Sequence, residues 1–293
     1  MRSWISALSA VSLLVLPDAA ASQPAPLDAS AYGAVPAIDF VQLSPSGERL
    51  AYVTVVGTAR RLLVVDLSGK TVLSEPVGET KVRDIVWAGD DRLLVTASET
   101  QGLDLSSYRY EFSHTVAINL ATSKLTVIFA TRPDIFSAVF GYYGAVQDGG
   151  RWYGYFAGVT LSKTRGFEAS LNSDSYADLY RVDLDSGAAQ KVDSASHKSR
   201  RWVIAPKGAI VAYSEYNQLN GEWRLHADKA AADPLLTVRA PFGRIDLAGA
   251  GRTPGTVLVD QDQPEEWSLA DGTHVPLPVN GRIGRFLYDP SNG

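Results

Sequence analysis

The chain has 293 residues, of which 45% are hydrophobic and 20% are charged, and these values are typical of a globular protein that can bury a large core. A net charge of −5 without any run of Lys or Arg indicates a protein that does not bind nucleic acid. The absence of cysteine excludes disulfides, thiol catalysis and thiolate metal sites.

The amino-terminal residues have the pattern of an export signal. Arg2 precedes an apolar stretch over residues 5–16 that is too short to span a bilayer, and Pro17 ends it. The run Ala19–Ala21 offers a cleavage site before Ser22. We therefore predict a signal peptide over residues 1–21 and a stiff, proline-containing linker over residues 22–32. The mature protein is then periplasmic or extracellular in a bacterium, with no membrane association; the alternative is an uncleaved anchor.

The first regular unit follows this linker. A Ser-Pro-x-Gly turn within Leu43–Tyr52 leads into a strand of period two, and the apolar stretch Leu62–Gly69 ends in an Asp-Leu-Ser-Gly turn. Proline presets φ in such a turn, and glycine supplies the positive φ that other residues resist. One unit of this kind is a pair of hairpins, which is marginally stable alone in water.

Variants of this unit recur along the chain at spacings that predict a propeller. The later units occupy residues 84–124, 146–187, 202–213 and 249–272, and a sixth begins at residues 286–293. A unit of about 40 to 45 residues has the length of a four-stranded propeller blade, and residues 162–177 read as a loop insertion. We predict an all-β fold over residues 33–293, an incomplete β-propeller of four-stranded antiparallel blades with about five blades plus the start of another. A β-sandwich would explain the strands but not the repeated pair of turns.

Large aromatic residues lie at or beside the predicted strands. We predict that they pack between blades, because large rings dominate buried area, rather than stack on a ligand. They are Trp87, Trp152, Tyr153, Trp202 and Trp267.

The stretch Ser44–Tyr52 and the Val-Val-Asp-Leu-Ser-Gly segment of residues 64–69 resemble the amino-terminal propeller of exported bacterial prolyl oligopeptidase-type serine peptidases, which include dipeptidyl and acylaminoacyl peptidases. The resemblance covers roughly residues 33–293. It implies a propeller that precedes an α/β-hydrolase domain and admits peptides rather than folded proteins to its active site. TolB-like periplasmic propellers use similar turns.

The family's catalytic machinery has no counterpart in this sequence. An α/β-hydrolase holds its nucleophile in a Gly-x-Ser-x-Gly elbow, and the chain contains no such string. Without a paired serine, the four histidines are not candidates for a catalytic base: His114, His197, His226 and His274. We predict no catalytic, cofactor-binding or metal-binding residue in this chain. Because residues 289–293 form a turn signal with no strand after it, we expect a longer protein, and the resemblance implies that an α/β-hydrolase domain lies C-terminal to this chain.

Three further segments have simpler interpretations. Residues 249–255 resemble a glycine-rich nucleotide loop, but Pro254 prevents the required helix and a β-turn cluster is predicted. Residues 260–266 could offer oxygen ligands to calcium, but they lack an EF-hand glycine and are interpreted as a solvated acidic loop. The pair Glu265–Glu266 runs into a strand and is not assigned the role of the paired glutamates of dipeptidyl peptidases. Residues 99–111 are polar and are predicted to form a rim loop.

Two functions from different classes follow. The first is a propeller that gates or positions peptide substrates for a serine peptidase domain, with no hydrolysis by this chain alone. The second is a free-standing periplasmic TolB-like propeller that binds another protein. A sugar-processing propeller enzyme is a third possibility and would require clustered inward carboxylates.

Overall fold

Five four-stranded antiparallel sheets form an incomplete β-propeller in the computed structural model of the protein. The structure describes residues 37–102, 109–161, 176–195, 199–228, 233–243, 245–261 and 263–278. These residues contain no helix, and hence none that could cross a membrane. The predicted fold class is confirmed. The predicted leader, linker and sixth unit and most of the predicted insertion lie outside the described residues.

The twenty strands fall into five blades, each numbered from its innermost to its outermost strand. Blades 1 and 2 consist of β1 (Ile38–Leu43), β2 (Arg49–Val56), β3 (Ala59–Asp66), β4 (Thr71–Pro76), β5 (Lys81–Trp87), β6 (Arg92–Gly102), β7 (Arg109–Asn119) and β8 (Lys124–Val127). Blade 3 consists of β9 (Gly141–Asp148), β10 (Arg151–Gly158), β11 (Asp178–Asp183) and β12 (Ala189–Asp193). Blades 4 and 5 consist of β13 (Ser199–Ile204), β14 (Ile210–Asn217), β15 (Glu222–His226), β16 (Leu236–Arg239), β17 (Asp246–Ala250), β18 (Thr256–Asp260), β19 (Pro264–Ser268) and β20 (His274–Pro276).

Alternation of side chains along each strand produces the blades. In blade 1, Ala51 pairs with Val64 and Val53 with Leu62, and these four side chains are almost fully buried on the side of blade 2. Their neighbours along the strands point to the other side of the sheet, because successive residues of a strand face opposite ways. Full burial of one such side chain stabilises the fold by about 1.5–3 kcal/mol.

Four apolar clusters join the blades in chain order, and a tryptophan lies in each. Trp87 packs between blades 1 and 2, Trp152 between blades 2 and 3, Trp202 between blades 3 and 4, and Trp267 between blades 4 and 5. These positions confirm the predicted packing role of the four rings. Tyr153 is half-buried and packs against the cluster between blades 3 and 4, as predicted, beneath the guanidinium of Arg181 at 3.6 Å.

The outer sides of the first and last blades are covered by no cluster of the described residues. On blade 1 this side carries half-buried Leu50 and Tyr52 beside exposed Val41 and Leu43. The five blades therefore form an arc in which each internal junction is filled and the two end blades each present one side.

Candidate functional site

The two faces of the arc differ in what they expose. The first strands of the blades run in the same direction, as two contacts indicate. The β1–β2 turn contacts the β5–β6 turn, because Ser46 N donates to Asp90 Oδ1 at 2.9 Å. The starts of β9 and β13 also meet, through Tyr143 and Arg200. One face therefore carries the turns between first and second and between third and fourth strands. We call it the turn face. The opposite face carries the connections between second and third strands and between blades, and we call it the loop face.

The turns of the turn face are polar, and several are closed by hydrogen bonds between a side chain and the backbone of the same turn. Asp66 Oδ1 accepts hydrogen bonds from Ser68 N at 2.9 Å, from Ser68 Oγ at 2.6 Å and from Lys70 N at 3.0 Å. The bond from the Ser68 hydroxyl lowers the pKa of the Asp66 carboxyl, and the bond from Lys70 N adds to this effect. Equivalent turns recur at Asn119 and Asp183. In these three turns, side chains of the turn itself therefore accept the backbone N–H groups.

Large exposed apolar side chains gather at the loop face. They stand at hairpin ends and blade connections: Val55, Val56, Tyr110, Phe140, Tyr176, Leu219 and Phe242. At the turn face, the described residues include fewer: Leu67 in a turn and, at strand ends, Leu43, Val72 and Leu125. Because exposed apolar side chains gathered on one side of a molecule mark interaction sites, the loop face is the candidate docking surface.

Leu219 and Phe242 are the most exposed of this set, at 98% and 84%; Leu219 lies in the β14–β15 turn of blade 4, and Phe242 lies in the connection from blade 4 to blade 5. Asn217 Oδ1 accepts the backbone N–H of Leu219 at 2.9 Å. Ala240 N donates to Gly221 O at 2.7 Å, and Gly243 N donates to Ala240 O at 3.0 Å. Two neighbouring turns, each closed by hydrogen bonds, thus hold the pair, which we call the Leu219–Phe242 knob.

A chain of aromatic rings reaches the loop face between blades 2 and 3. Phe112 is buried and meets Phe136 edge-on at 5.0 Å, and Phe136 lies 6.3 Å from the exposed Phe140. Tyr110 extends the chain on the other side, 6.2 Å from Phe112. Tyr110 and Phe112 belong to the β6–β7 hairpin, which extends to Gly102 and resumes at Arg109, whereas Phe136 and Phe140 lie in the connection between β8 and β9. The prediction of a rim loop over residues 99–111 is therefore wrong at both ends of this range, because both ends are strands. Thr100 pairs with Glu111, and Gln101 pairs with Tyr110.

A buried group of charged and aromatic side chains joins blades 3 and 4. Arg200 donates to Glu215 Oε1 through Nε at 3.0 Å and Nη2 at 2.8 Å, and to Asp193 Oδ2 through Nη1 at 3.2 Å. The two carboxylate side chains are 9% exposed or less. One guanidinium therefore neutralises part of the charge of two buried carboxylates, and this compensates for their desolvation.

The aromatic side of this group is a stack. The Arg200 guanidinium lies 4.5 Å from the ring centre of Tyr213, and the same ring is parallel to His226 at 4.4 Å. Burial raises the pKa of the Tyr213 hydroxyl. His226 Nε2 is 3.8 Å from Glu215 Oε2. The packing and the paired charges fix the junction between the two blades.

The other described histidines also face carboxylates. His114 Nε2 is 3.1 Å from Glu99 Oε1, and His274 lies 3.8 Å from Glu265 while stacking on Trp267 at 4.8 Å. His197 lies outside the described residues. Within the described ranges, no group of three or more ligating side chains could hold a metal ion. That the chain has no catalytic or cofactor-binding residue stays a prediction.

Two sequence interpretations in blade 5 have different outcomes. The β-turn cluster predicted for residues 249–255 is confirmed for residues 251–255, where Thr256 N donates to Thr253 O at 3.1 Å, whereas Gly249 and Ala250 lie in β17. The solvated acidic loop predicted for residues 260–266 is wrong for Glu266, which lies in β19 and is buried. Glu266 accepts bonds from Thr256 Oγ1 at 2.6 Å and Thr253 N at 2.8 Å, and the Thr256 hydroxyl is the main cause of its lowered pKa. Its carboxylate therefore closes the preceding turn.

Comparison with known proteins gives one family match and several solved structures that are similar to this chain. Residues 6–134 match the family described as Lipoprotein LpqB beta-propeller domain. No curated protein matches the chain.

Among solved structures, an acylaminoacyl peptidase from Pyrococcus horikoshii is similar at 13% identity and a TM-score of 0.48, over 84% of this chain and 39% of that one. TolB from Acinetobacter baumannii is similar at 15% identity and a TM-score of 0.38, over 81% of this chain and 53% of that one. The β-propeller domain of the Trilobed protease from Pyrococcus furiosus, whose topology is an open velcro, is similar at 13% identity and a TM-score of 0.36, over 83% and 81% of the two chains. This chain thus spans well under half the length of the acylaminoacyl peptidase.

Proposed function

We propose that this chain is the substrate-gating propeller of an exported serine peptidase that acts on peptides, and that an α/β-hydrolase domain C-terminal to it supplies the catalytic triad. The observation that carries the proposal is the placement of strands: every innermost strand begins at the loop face, and β20, the last described strand, ends there. Because a four-stranded antiparallel blade begins and ends at the same face, a domain that follows the sixth unit expected at residues 286–293 would also start at this face.

The gate in this proposal is the central channel that the innermost strands would line in a closed propeller. Folded proteins are excluded by size, whereas an extended peptide is narrow enough to pass between the innermost strands. The loop-face end of these strands carries half-exposed ion pairs, Arg83 with Glu111 and Arg201 with Asp246, the second at 2.6 Å. Charged side chains that are already paired keep the entrance hydrated but do not select substrates of one charge. This property suits a gate that accepts varied peptides.

The second candidate is a free-standing periplasmic propeller that binds another protein. The exposed apolar side chains at the loop face favour it, because a binding module needs such a surface whether or not a catalytic domain is attached. In both candidates the protein works outside the cytoplasm, in the periplasm or the extracellular space.

The reading frame beyond codon 293 separates the two candidates. A Gly-x-Ser-x-Gly elbow followed by Asp and His in that order supports the peptidase, and further blades followed by a stop codon support the binding module. The chain from Ser22 to Gly293 is expected neither to cleave a chromogenic dipeptide nor to react with a fluorophosphonate. Hydrolysis by this chain would overturn both candidates. Fractionation with a tagged chain tests export, and recovery in the cytoplasm contradicts it.

A further inference from the structure

The β6–β7 hairpin of blade 2 has an outer edge that is open over residues 109–112. The next strand, β8, pairs with β7 over residues 116–119. The connection after β8 reaches β7 at Ser113, whose carbonyl accepts the N–H of Val139 at 2.7 Å. Beyond Ser113, towards the loop face, no described strand pairs with this edge. An unpaired strand edge is a template on which another extended chain can pair.

The backbone groups on this edge face outward at alternate residues. Because Ser113 O accepts its bond from outside the hairpin, the backbone of Ser113 faces the open side. Along an antiparallel ladder this orientation repeats at every second residue, so the N–H and C=O groups of Glu111 and Arg109 also face outward. The edge therefore offers donors and acceptors at the spacing of a β-strand.

Aromatic rings accompany this edge on one face of the hairpin. Tyr110 and Phe112 are two residues apart and share that face, with ring centres 6.2 Å apart. Phe136 follows at 5.0 Å and Phe140 at a further 6.3 Å. We call these four rings the aromatic row. Side chains on one face of an extended peptide repeat at about 6.6 Å, so every second residue of such a peptide can lie on a successive ring.

The other face of the hairpin carries charge. Glu111 Oε1 contacts Arg83 Nη2 and lies 3.8 Å from Lys81 Nζ, and Arg109 is exposed on the same face, two residues before Glu111. Three cationic side chains therefore accompany Glu111 near the edge. This local excess of positive charge favours acidic side chains at the positions of a bound peptide that face it.

We propose that peptide substrates bind to the outer edge of β7 as an added strand, with large apolar side chains on the aromatic row at every second residue and acidic side chains between them. This inference rests on the proposed function, in which peptides arrive at the loop face. It adds a substrate class, namely extended peptides in which apolar and acidic residues alternate.

Two labelled peptides of the same composition test the alternation. The first is Gly-Glu-Phe-Glu-Phe-Glu-Leu-Gly, and the second is Gly-Phe-Phe-Leu-Glu-Glu-Glu-Gly. Fluorescence anisotropy with the 293-residue chain measures their binding. We expect the alternating peptide to bind at least about tenfold more tightly, because only this peptide places all of its large apolar side chains on one face of a strand.

Variants of the edge separate its rings from its backbone. Tyr110→Ala/Phe140→Ala removes two half-exposed rings of the row and should raise the Kd of the alternating peptide at least about tenfold. Glu111→Pro removes an outward N–H, which an edge strand tolerates, and should raise the Kd at least about fivefold. Glu111→Ala keeps that N–H and should bind the acidic peptide at least as tightly as the wild type. Leu219→Ala, in the Leu219–Phe242 knob of the same face, is the control and should leave the Kd unchanged. Circular dichroism checks that each variant folds.

The opposite results overturn the proposal. These are no saturable binding of the alternating peptide up to about 1 mM, equal affinity for the two peptides, or a Glu111→Pro variant that binds like Glu111→Ala. If the full-length gene product hydrolyses peptides but none binds at this edge, only the present inference fails. If the edge binds the alternating peptide but the full-length product hydrolyses none, the proposed function fails, and with it the assignment of the peptide as a substrate.

Discussion

The indole Nε1 of Trp202 donates a 2.7 Å hydrogen bond to Oδ2 of Asp193, so an innermost strand of one blade binds the last residue of the preceding blade. The same carboxylate oxygen accepts Arg200 Nη1. A single buried carboxylate thus holds two side chains of the neighbouring sheet, and its removal affects the junction more than the loss of any surface charge would.

We predict that Asp193→Ala lowers the free energy of unfolding by about 3 kcal/mol, because it leaves a buried indole N–H without its acceptor and removes one of two carboxylates from a buried guanidinium. Urea denaturation measures the change. The control Asp246→Ala breaks the half-exposed pair with Arg201 and should cost at most about 1 kcal/mol. Equal losses for the two variants would contradict the structural role of Asp193.

Gly89→Ala is expected to destabilise the junction of blades 2 and 3. Gly89 has φ of 67°, and a Cβ added there would overlap the ring of Trp152. Gly69→Ala is the matched control, since Gly69 has φ of 82° but open space around it. We expect about 1–2 kcal/mol for Gly69→Ala from backbone strain alone and at least about 2 kcal/mol more for Gly89→Ala from lost packing. Thermal unfolding of the two variants measures this difference, and identical midpoints would contradict it.

The carboxyl of Asp185 makes the free energy of unfolding depend on pH in acidic solution. Hydrogen bonds from Arg92 and Asn119 lower the pKa of this carboxyl in the folded protein, with the Arg92 bond the largest cause. A carboxyl whose folded pKa is depressed stabilises the protein fully above its unfolded pKa of about 3.9, and the contribution is lost as pH falls through the folded pKa. The difference in unfolding free energy between the wild type and Asp185→Asn should therefore shrink from pH 6 towards pH 3.

The control for this effect is Val257→Ala, which removes buried apolar surface and no titratable group. Its cost should be similar at both pH values. A difference between wild type and Asp185→Asn that stays constant over the same range would show that the Arg92–Asp185 contact does not perturb the carboxyl.

In alkaline solution, Tyr143 makes the stability depend on pH in the opposite direction, so that stability falls as pH rises. Burial raises the pKa of its hydroxyl to about 12. A raised folded pKa means that the stabilising contribution is complete below the unfolded pKa of about 10 and is lost as pH rises through the folded value. In a titration followed by absorbance at 295 nm, Tyr143→Phe should show one fewer tyrosine with a pKa well above 10 than the wild type. The free energy of unfolding of Tyr143→Phe should also fall less than that of the wild type between pH 10 and pH 12. Ionisation of every tyrosine near pH 10 in the wild type would contradict this.

The blades could be predicted from local sequence because their signals are local. The turn over residues 44–48 and the alternation along Arg49–Val56 lie within one unit, and the four tryptophans recur at strand positions that must pack. The polar run at residues 99–111 misled the prediction because Glu99, Thr100 and Gln101 of β6 are all polar, although two of their partners in β7 are Phe112 and Tyr110. A polar segment of this kind leaves no hydrophobic period to detect.

Contacts between blades were beyond sequence reasoning. Asp193 meets Arg200 only after two sheets are placed side by side, whereas Arg200 and Glu215 are paired across β13 and β14 of one sheet. Leu219 and Phe242 belong to ordinary turn sequences, and only their exposure on adjacent connections distinguishes them. The acidic run at residues 260–266 was interpreted as solvated because the bonds of Glu266 to Thr253 and Thr256 depend on a hairpin register.

The four apolar clusters connect five blades in series, and this arrangement sets the order in which the described part of the fold comes apart. Blade 3 contacts a neighbour on both sides, whereas blades 1 and 5 each have one neighbour. Nearest-neighbour energetics of this type make unfolding begin at the ends and spread inward, as fraying does in a helix. Amides of β2 and β18 should accordingly open before those of β10, and any partner that covers an end blade would delay the first of these openings.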